Sequence, residues 1–111
     1  MRHLKRGDVW WVSFGSALGR EVQKTRPALI ISNNAANAVL NRVVVIPLTS
    51  QTDRLYPSEA YVQVSGRRSK AMADQITTAD KRRLQNYLGT VSTSDLRAVE
   101  RALLLHLNIQ P

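Results

Sequence analysis

The chain has 111 residues, enough for one domain that buries roughly two-thirds of its unfolded surface. It has no cysteine, which excludes disulfides and thiolate chemistry, and its two histidines, His3 and His106, stand near opposite ends, so no metal or other cofactor is expected. Sixteen Lys and Arg against eight Asp and Glu give a net charge of +8, and arginine outnumbers lysine twelve to four. The planar guanidinium forks onto phosphate oxygens and stacks on bases, so this balance leans toward nucleic acid.

No apolar run approaches the roughly 20 residues of a membrane span, and the opening "MRHLKRGD" lacks the apolar core of a signal peptide, so the expected location is the cytoplasm with no membrane partner. "DVWWVSF" (Asp8 to Phe14) alternates Trp10, Val12 and Phe14 with Val9, Trp11 and Ser13, the period of a first strand. "GSALGREVQKT" (Gly15 to Thr25) has no clear period and reads as a long loop. "PALIIS", "RVVVIPL" and "EAYVQV" add three strands, from Pro27, Arg42 and Glu59 respectively. Between the first two of these, "NNAANAVLN" reads as one helical turn or as plain turn residues.

After "SGRRS", a turn with two arginines, "KAMADQI" (Lys70 to Ile76) reads as a fifth strand, and Thr78 in "TTADKRRL" as the cap of a short helix. In "STSDLRAVERALLLHL", Leu96, Val99, Leu103 and Leu107 recur at helical spacing behind serine caps and Asp95, which predicts an amphipathic terminal helix. Many short strands followed by one helix imply a mainly β (α+β) chain. The expected fold is a small, strongly bent antiparallel sheet or barrel over residues 1–111, with the helix closing a face.

Two pieces have chemistry to offer. Arg26 precedes Pro27, whose ring crowds the helical region and pushes Arg26 into extended geometry, so the backbone aims its side chain at the rim where the long loop meets the sheet. Glu21 stands in that loop between Arg20 and Lys24. Alone, Arg26 reads equally as a solvated rim residue. The strand "VVVIPL" leaves the core through Pro47 into Thr49, Ser50 and Gln51, three hydrogen-bonding side chains that alone read equally as turn chemistry.

Taken together and in order, "RGDVWWVSF", "GREVQKTRPALIIS", "VVVIPLTSQ", "DQITTADKRRL" and "LGTVSTSDLRAVERAL" resemble the successive blocks of the MazF/PemK toxin ribonucleases over nearly the whole chain. The most specific matches are the Arg-Pro that opens one strand and the Pro-x-Thr-Ser-Gln that closes another. The resemblance implies an SH3-like barrel of the CcdB/Kid/MazF type. It also implies a homodimer whose interface creates an RNA groove, metal-independent cleavage of single-stranded RNA at short sequences, and neutralisation by a cognate acidic antitoxin. On this resemblance Arg26 falls on the catalytic arginine, Thr49 on the catalytic threonine, and Glu21 on the loop acid of some members. Thr25 and Ser50 depart from the commonest residues beside those positions.

RNA supplies its own nucleophile, the 2′-hydroxyl, so such an enzyme must orient it in line, move two protons and stabilise a doubly negative phosphorane. Arg26 and Thr49 suit the phosphoryl oxygens, and the products are a 2′,3′-cyclic phosphate and a 5′-hydroxyl. Free arginine is a poor base near neutral pH, which makes Glu21 the candidate proton partner. Arg20, Lys24, Ser50, Gln51, Arg54, Tyr56, Arg67, Arg68, Lys70 and Gln75 are the candidate RNA-binding residues, while Trp10 and Trp11 are assigned to structure. Two rival readings are a gyrase-binding toxin of the same fold and a non-catalytic RNA-binding barrel.

Overall fold

The computed structural model describes residues 3–15 and 24–110. Seven strands and two α-helices follow in the order β1 (Asp8–Ser13), β2 (Thr25–Ile30), α1 (Asn34–Val39), β3 (Arg42–Thr49), β4 (Glu59–Val64), β5 (Arg67–Met72), β6 (Thr77–Asp80), β7 (Leu84–Thr90) and α2 (Thr93–Leu107). The strands form one antiparallel sheet in the order β4-β5-β3-β2-β1-β7, with β6 also paired to β3. No helix among the described residues is long and apolar enough to cross a membrane.

The organising element is β3, whose branched residues suit a strand covered on both faces. Its start pairs with β6 (Arg42↔Asp80 to Val45↔Thr77), its middle with β2 (Val45↔Ile30 to Pro47↔Ala28), and its end with β5 (Leu48↔Ala71, Thr49↔Lys70). This change of partner curls the sheet into a partial barrel. The alternation in β1 resolves as expected: Trp10 and Val12 join Ala28, Ile30, Val43 and Val45 in one core cluster, with Phe14 packed beside them. Val9 faces the second cluster, where Leu29, Ile46, Leu48 and Val62 meet Val99 and Ala102 of the terminal helix.

The terminal helix begins where Ser92 accepts the Asp95 amide (3.1 Å) and ends at Asn108, whose N–H reaches the carbonyls of Leu104 and Leu105 and whose left-handed φ of 57° turns the Ile109 N–H back to the Leu104 carbonyl at 2.9 Å. Asp95 also accepts from the Gln63 amide at 2.8 Å, tying the helix start to β4. Of the expected stripe, Val99 is buried and Leu96 and Leu103 pack at its margin, but Leu107 is 47% exposed and Ala102 takes the inward position instead. The short helix α1 is real, capped by Asn33 accepting from the Ala36 amide at 2.8 Å.

Three expectations in the second half are corrected. The fifth strand runs from Arg67 to Met72 and gives way to a 3₁₀ turn (Ala73–Gln75), so the turn before it is only Ser65–Gly66. Those two residues have φ of 53° and 75°, the geometry that matches a two-residue loop to strand twist. Thr78 lies within β6 and caps nothing; Asp80 instead caps a 3₁₀ turn (Lys81–Arg83), accepting from the Arg82 amide at 2.8 Å. Beyond it, β7 was not foreseen, and it pairs with β1 from Asp8↔Thr90 to Val12↔Leu84 through two register shifts.

Candidate active site

Arg26 lies on β2 opposite Val12 of β1, with Pro27 opposite Trp11. The β2–β3 ladder stops at Ala28↔Pro47, so residues 25–27 are paired on one side only. That is where a proline, which has no N–H to give, does least damage. Beyond the same point β3 turns to β5, and the two strands diverge. The gap between them opens into a groove of about 810 Å³.

Thr25, Arg26 and Trp11 stand on one wall of this groove, and Thr49, Ser50 and Gln51 on the other. Arg67, Arg68 and Ser69, delivered by the tight Ser65–Gly66 turn, close it along β5. Three arginines thus line one concavity, and no carboxylate occurs among its described lining residues. Such a surface concentrates a positive field where low-dielectric walls focus it. Arg26 and Thr49 are both half-buried, reachable from solvent yet held by the sheet.

The Thr49 hydroxyl oxygen accepts the Gln51 amide at 3.3 Å, closing a small turn as the chain leaves β3. That bond uses an oxygen lone pair and leaves the hydroxyl proton free to donate to a ligand. Across the groove mouth, the base of the long loop is clipped shut: Phe14 N–H donates to Lys24 O at 2.9 Å and Lys24 N–H to Gly15 O at 3.0 Å. Lys24 itself sits at φ 65° with an exposed side chain. Glu21 and Arg20 lie outside the described residues.

The structure does not bring the remaining candidates into the groove. Lys70 is buried, its ammonium 2.9 Å from a Glu59 carboxylate oxygen and donating to the Arg54 carbonyl at 2.7 Å. It is a strut beneath the loop of residues 50–58, not a reader at the surface. Arg54 donates to the Tyr56 hydroxyl at 3.3 Å on that loop, and Glu59 accepts the Tyr56 amide at 2.9 Å. Gln75 is half-buried, its side-chain amide 3.5 Å from the Met72 sulfur. Conversely, Trp11, assigned to structure by its alternation, lines the groove beside Arg26, whereas Trp10 is in the core. Ser69 and Leu88 are further lining residues that the sequence did not single out, and Thr25, noted there only as a departure from the commonest residue, lines the groove as well.

The fold has counterparts. A family model described as the PemK-like, MazF-like toxin of type II toxin–antitoxin systems matches residues 5–107. Endoribonuclease MazF9 of Mycobacterium tuberculosis (strain ATCC 25618 / H37Rv) is 33% identical over 115 residues, covering 96% of this chain and 98% of the relative. Among solved structures, MazF (Form-I) from Deinococcus radiodurans superimposes with a TM-score of 0.86 at 27% identity, covering 98% of this chain and 100% of that one. An endoribonuclease in complex with its cognate antitoxin from Mycobacterial species gives 0.82 at 30% identity, covering 97% of this chain and 98% of that one. A match over nearly the whole chain, on a sheet that curls the same way, is a match of the entire fold and not of one motif. The chain belongs to the PemK-like, MazF-like toxin family of type II toxin–antitoxin systems.

Proposed function

We propose that the chain is a toxin endoribonuclease that cuts single-stranded RNA at short sequences without a metal ion. The observation that carries this reading is the placement of Arg26 and Thr49 on facing walls of one solvent-open groove that Arg67 and Arg68 also line. Bound there, a phosphodiester has its non-bridging oxygens within the reach of a forked cation and a hydroxyl donor. The 2′-oxygen attacks phosphorus as the bond to the 5′-oxygen breaks, leaving a 2′,3′-cyclic phosphate and a 5′-hydroxyl. One proton leaves the 2′-hydroxyl and one reaches the 5′-oxygen. Arg26 stabilises the charge that grows on the phosphorane, where a preorganised donor is worth most. Glu21 is the proposed partner in proton transfer.

A groove whose described lining residues include three arginines and no carboxylate also suits an acidic antitoxin tail, which would neutralise the toxin by occupying it. The relative solved with its cognate antitoxin supports that partner. The exposed Leu55, Leu105 and Leu107, apolar and lying along the terminal helix and the loop beside it, suit a second copy of the chain in a cytoplasmic homodimer.

The test is incubation of purified protein with a long RNA in chelator, with new 5′-hydroxyl ends mapped. Cuts at a recurring short sequence, lost in Arg26→Ala, support the reading. A gyrase-binding toxin or a passive RNA-binding barrel produces no new ends.

A further inference from the structure

Beside the groove, on the outward face of the β4–β5 hairpin, Tyr61 makes two contacts that point in different directions. The register sets Tyr61 opposite Lys70 and Gln63 opposite Arg68, so Tyr61 and Arg68 are diagonal neighbours, a spacing that aromatic and long side chains can bridge. The Arg68 guanidinium carbon lies 3.6 Å from the Tyr61 ring centroid, a face-on stack. The phenolic hydroxyl of the same Tyr61 donates to the Thr52 carbonyl at 2.8 Å. Thr52 is three residues past Thr49, in the turn already closed by the bond from the Gln51 amide to the Thr49 hydroxyl.

Arg68 is exposed, lines the groove, and makes no ion pair or hydrogen bond with any described residue. A long, unpaired arginine on a surface ordinarily samples many rotamers. Here the ring restrains the guanidinium while the residue stays exposed to solvent, which makes a second, free face available to a ligand. A flat, fixed cation with one free face is a stacking platform for a nucleobase, and RNA-binding surfaces use arginine planes in this way.

We infer that Tyr61 is a positioning residue, which holds the Arg68 guanidinium as a base-stacking plane and anchors the turn carrying Thr49 in the same frame. The proposal rests on the ribonuclease reading above. Its content is a coupling: the distance between the stacked base and the reacting phosphate is set by one side chain that touches neither.

The experiment separates the two contacts. RNA affinity is measured by anisotropy in an Arg26→Ala background, where no cleavage confuses the reading, for Tyr61→Leu, Arg68→Ala and the double variant. Each single change is expected to weaken binding about tenfold, the scale of one lost stacking contact. The double variant should bind no more weakly than Arg68→Ala, because Tyr61 acts on affinity only through Arg68. With Arg26 intact, Tyr61→Phe retains the stack and loses only the hydroxyl, so KM should stay within twofold while kcat falls about fivefold. A merely structural tyrosine would lower the melting temperature without splitting KM from kcat. Multiplicative losses in the double variant, or an unchanged kcat in Tyr61→Phe, overturn the proposal while leaving the cleavage reading intact. Failure of the unaltered protein to cut RNA removes both.

Discussion

Arg26 and Thr49 occupy the two positions that the β2–β3 ladder would pair if it ran on two residues past Ala28 and Pro47. Continuing that register by two residues sets them opposite one another; instead β3 leaves to pair with β5, and the missing rungs become the groove. The two groups therefore owe their facing positions to adjacent strands of the sheet and not to loop conformation.

If that arrangement clamps a phosphate, Arg26→Ala should lower kcat at least about a hundredfold, the scale of losing one preorganised transition-state donor. Thr49→Ala should cost a similar factor and Thr49→Ser much less. Single-turnover cleavage of a short RNA checks both, with binding measured in parallel. Full activity in Arg26→Ala removes the centre of the mechanism.

Three groove arginines imply a salt signature. Each phosphate contact on a single strand contributes about −0.7 to the slope of log affinity against log salt, so three contribute about −2. Replacing Arg67 by Ala should flatten the slope by about 0.7 and weaken binding evenly across RNA sequences. Anisotropy titrations over a range of potassium chloride concentrations report this directly.

Lys70 offers a contrast. Removing it as Lys70→Met strands the Glu59 carboxylate, whose side chain is only 11% exposed, and should destabilise the fold by about 3 kcal/mol. Adding Glu59→Gln should recover part of the loss. The affinity of the folded Lys70→Met protein for RNA should change by less than twofold; a tenfold loss would restore Lys70 to the RNA surface. Urea unfolding and binding curves on the same samples give both numbers.

At the other end of the molecule, Arg6 donates to the Glu100 carboxylate at 2.7 Å and to the Ile31 carbonyl at 3.0 Å, pinning the N-terminal segment to the terminal helix. The Arg6 hydrogen bond holds the Glu100 carboxyl below its ordinary value of 4.5, against a smaller opposing effect of burial. Because the folded value is the lower one, the pair's contribution is complete above pH 4.5. It is lost as the pH falls through the folded value. Glu100→Gln should therefore cost up to about 1 kcal/mol at pH 7, and the gap should be narrower at pH 3. Chemical unfolding of both proteins at the two values tests the sign.

Much of the first half of the fold was legible because its strands are specified by their own residues. Alternation marks β1, branched apolar runs mark β2 and β3, and Arg-Pro and Pro-x-Thr mark the ends that meet at the groove. The later strands were not legible because they borrow their structure from partners. In β6 only Ala79 is buried, and the exposed Thr77 and Thr78 are extended because β3 holds them there. In β7 the exposed Gln85, Asn86 and Tyr87 give no two-residue period, and β1 supplies the pairing. The position of Trp11 at the groove was not legible because a strand face is not uniform along its length: Val9 faces core, while Trp11, two residues on, lines the groove. Lys70 was misplaced because its burial depends on a loop crossing over the hairpin and on Glu59, eleven residues away in the chain.

The lining of the groove has a last consequence. Guanidinium planes and a hydroxyl grip phosphates and bases, groups that DNA shares, whereas the attacking oxygen belongs to ribose alone. A single DNA strand should therefore seat itself in the cleft and stay whole, a decoy that competes with the true substrate without ever being consumed.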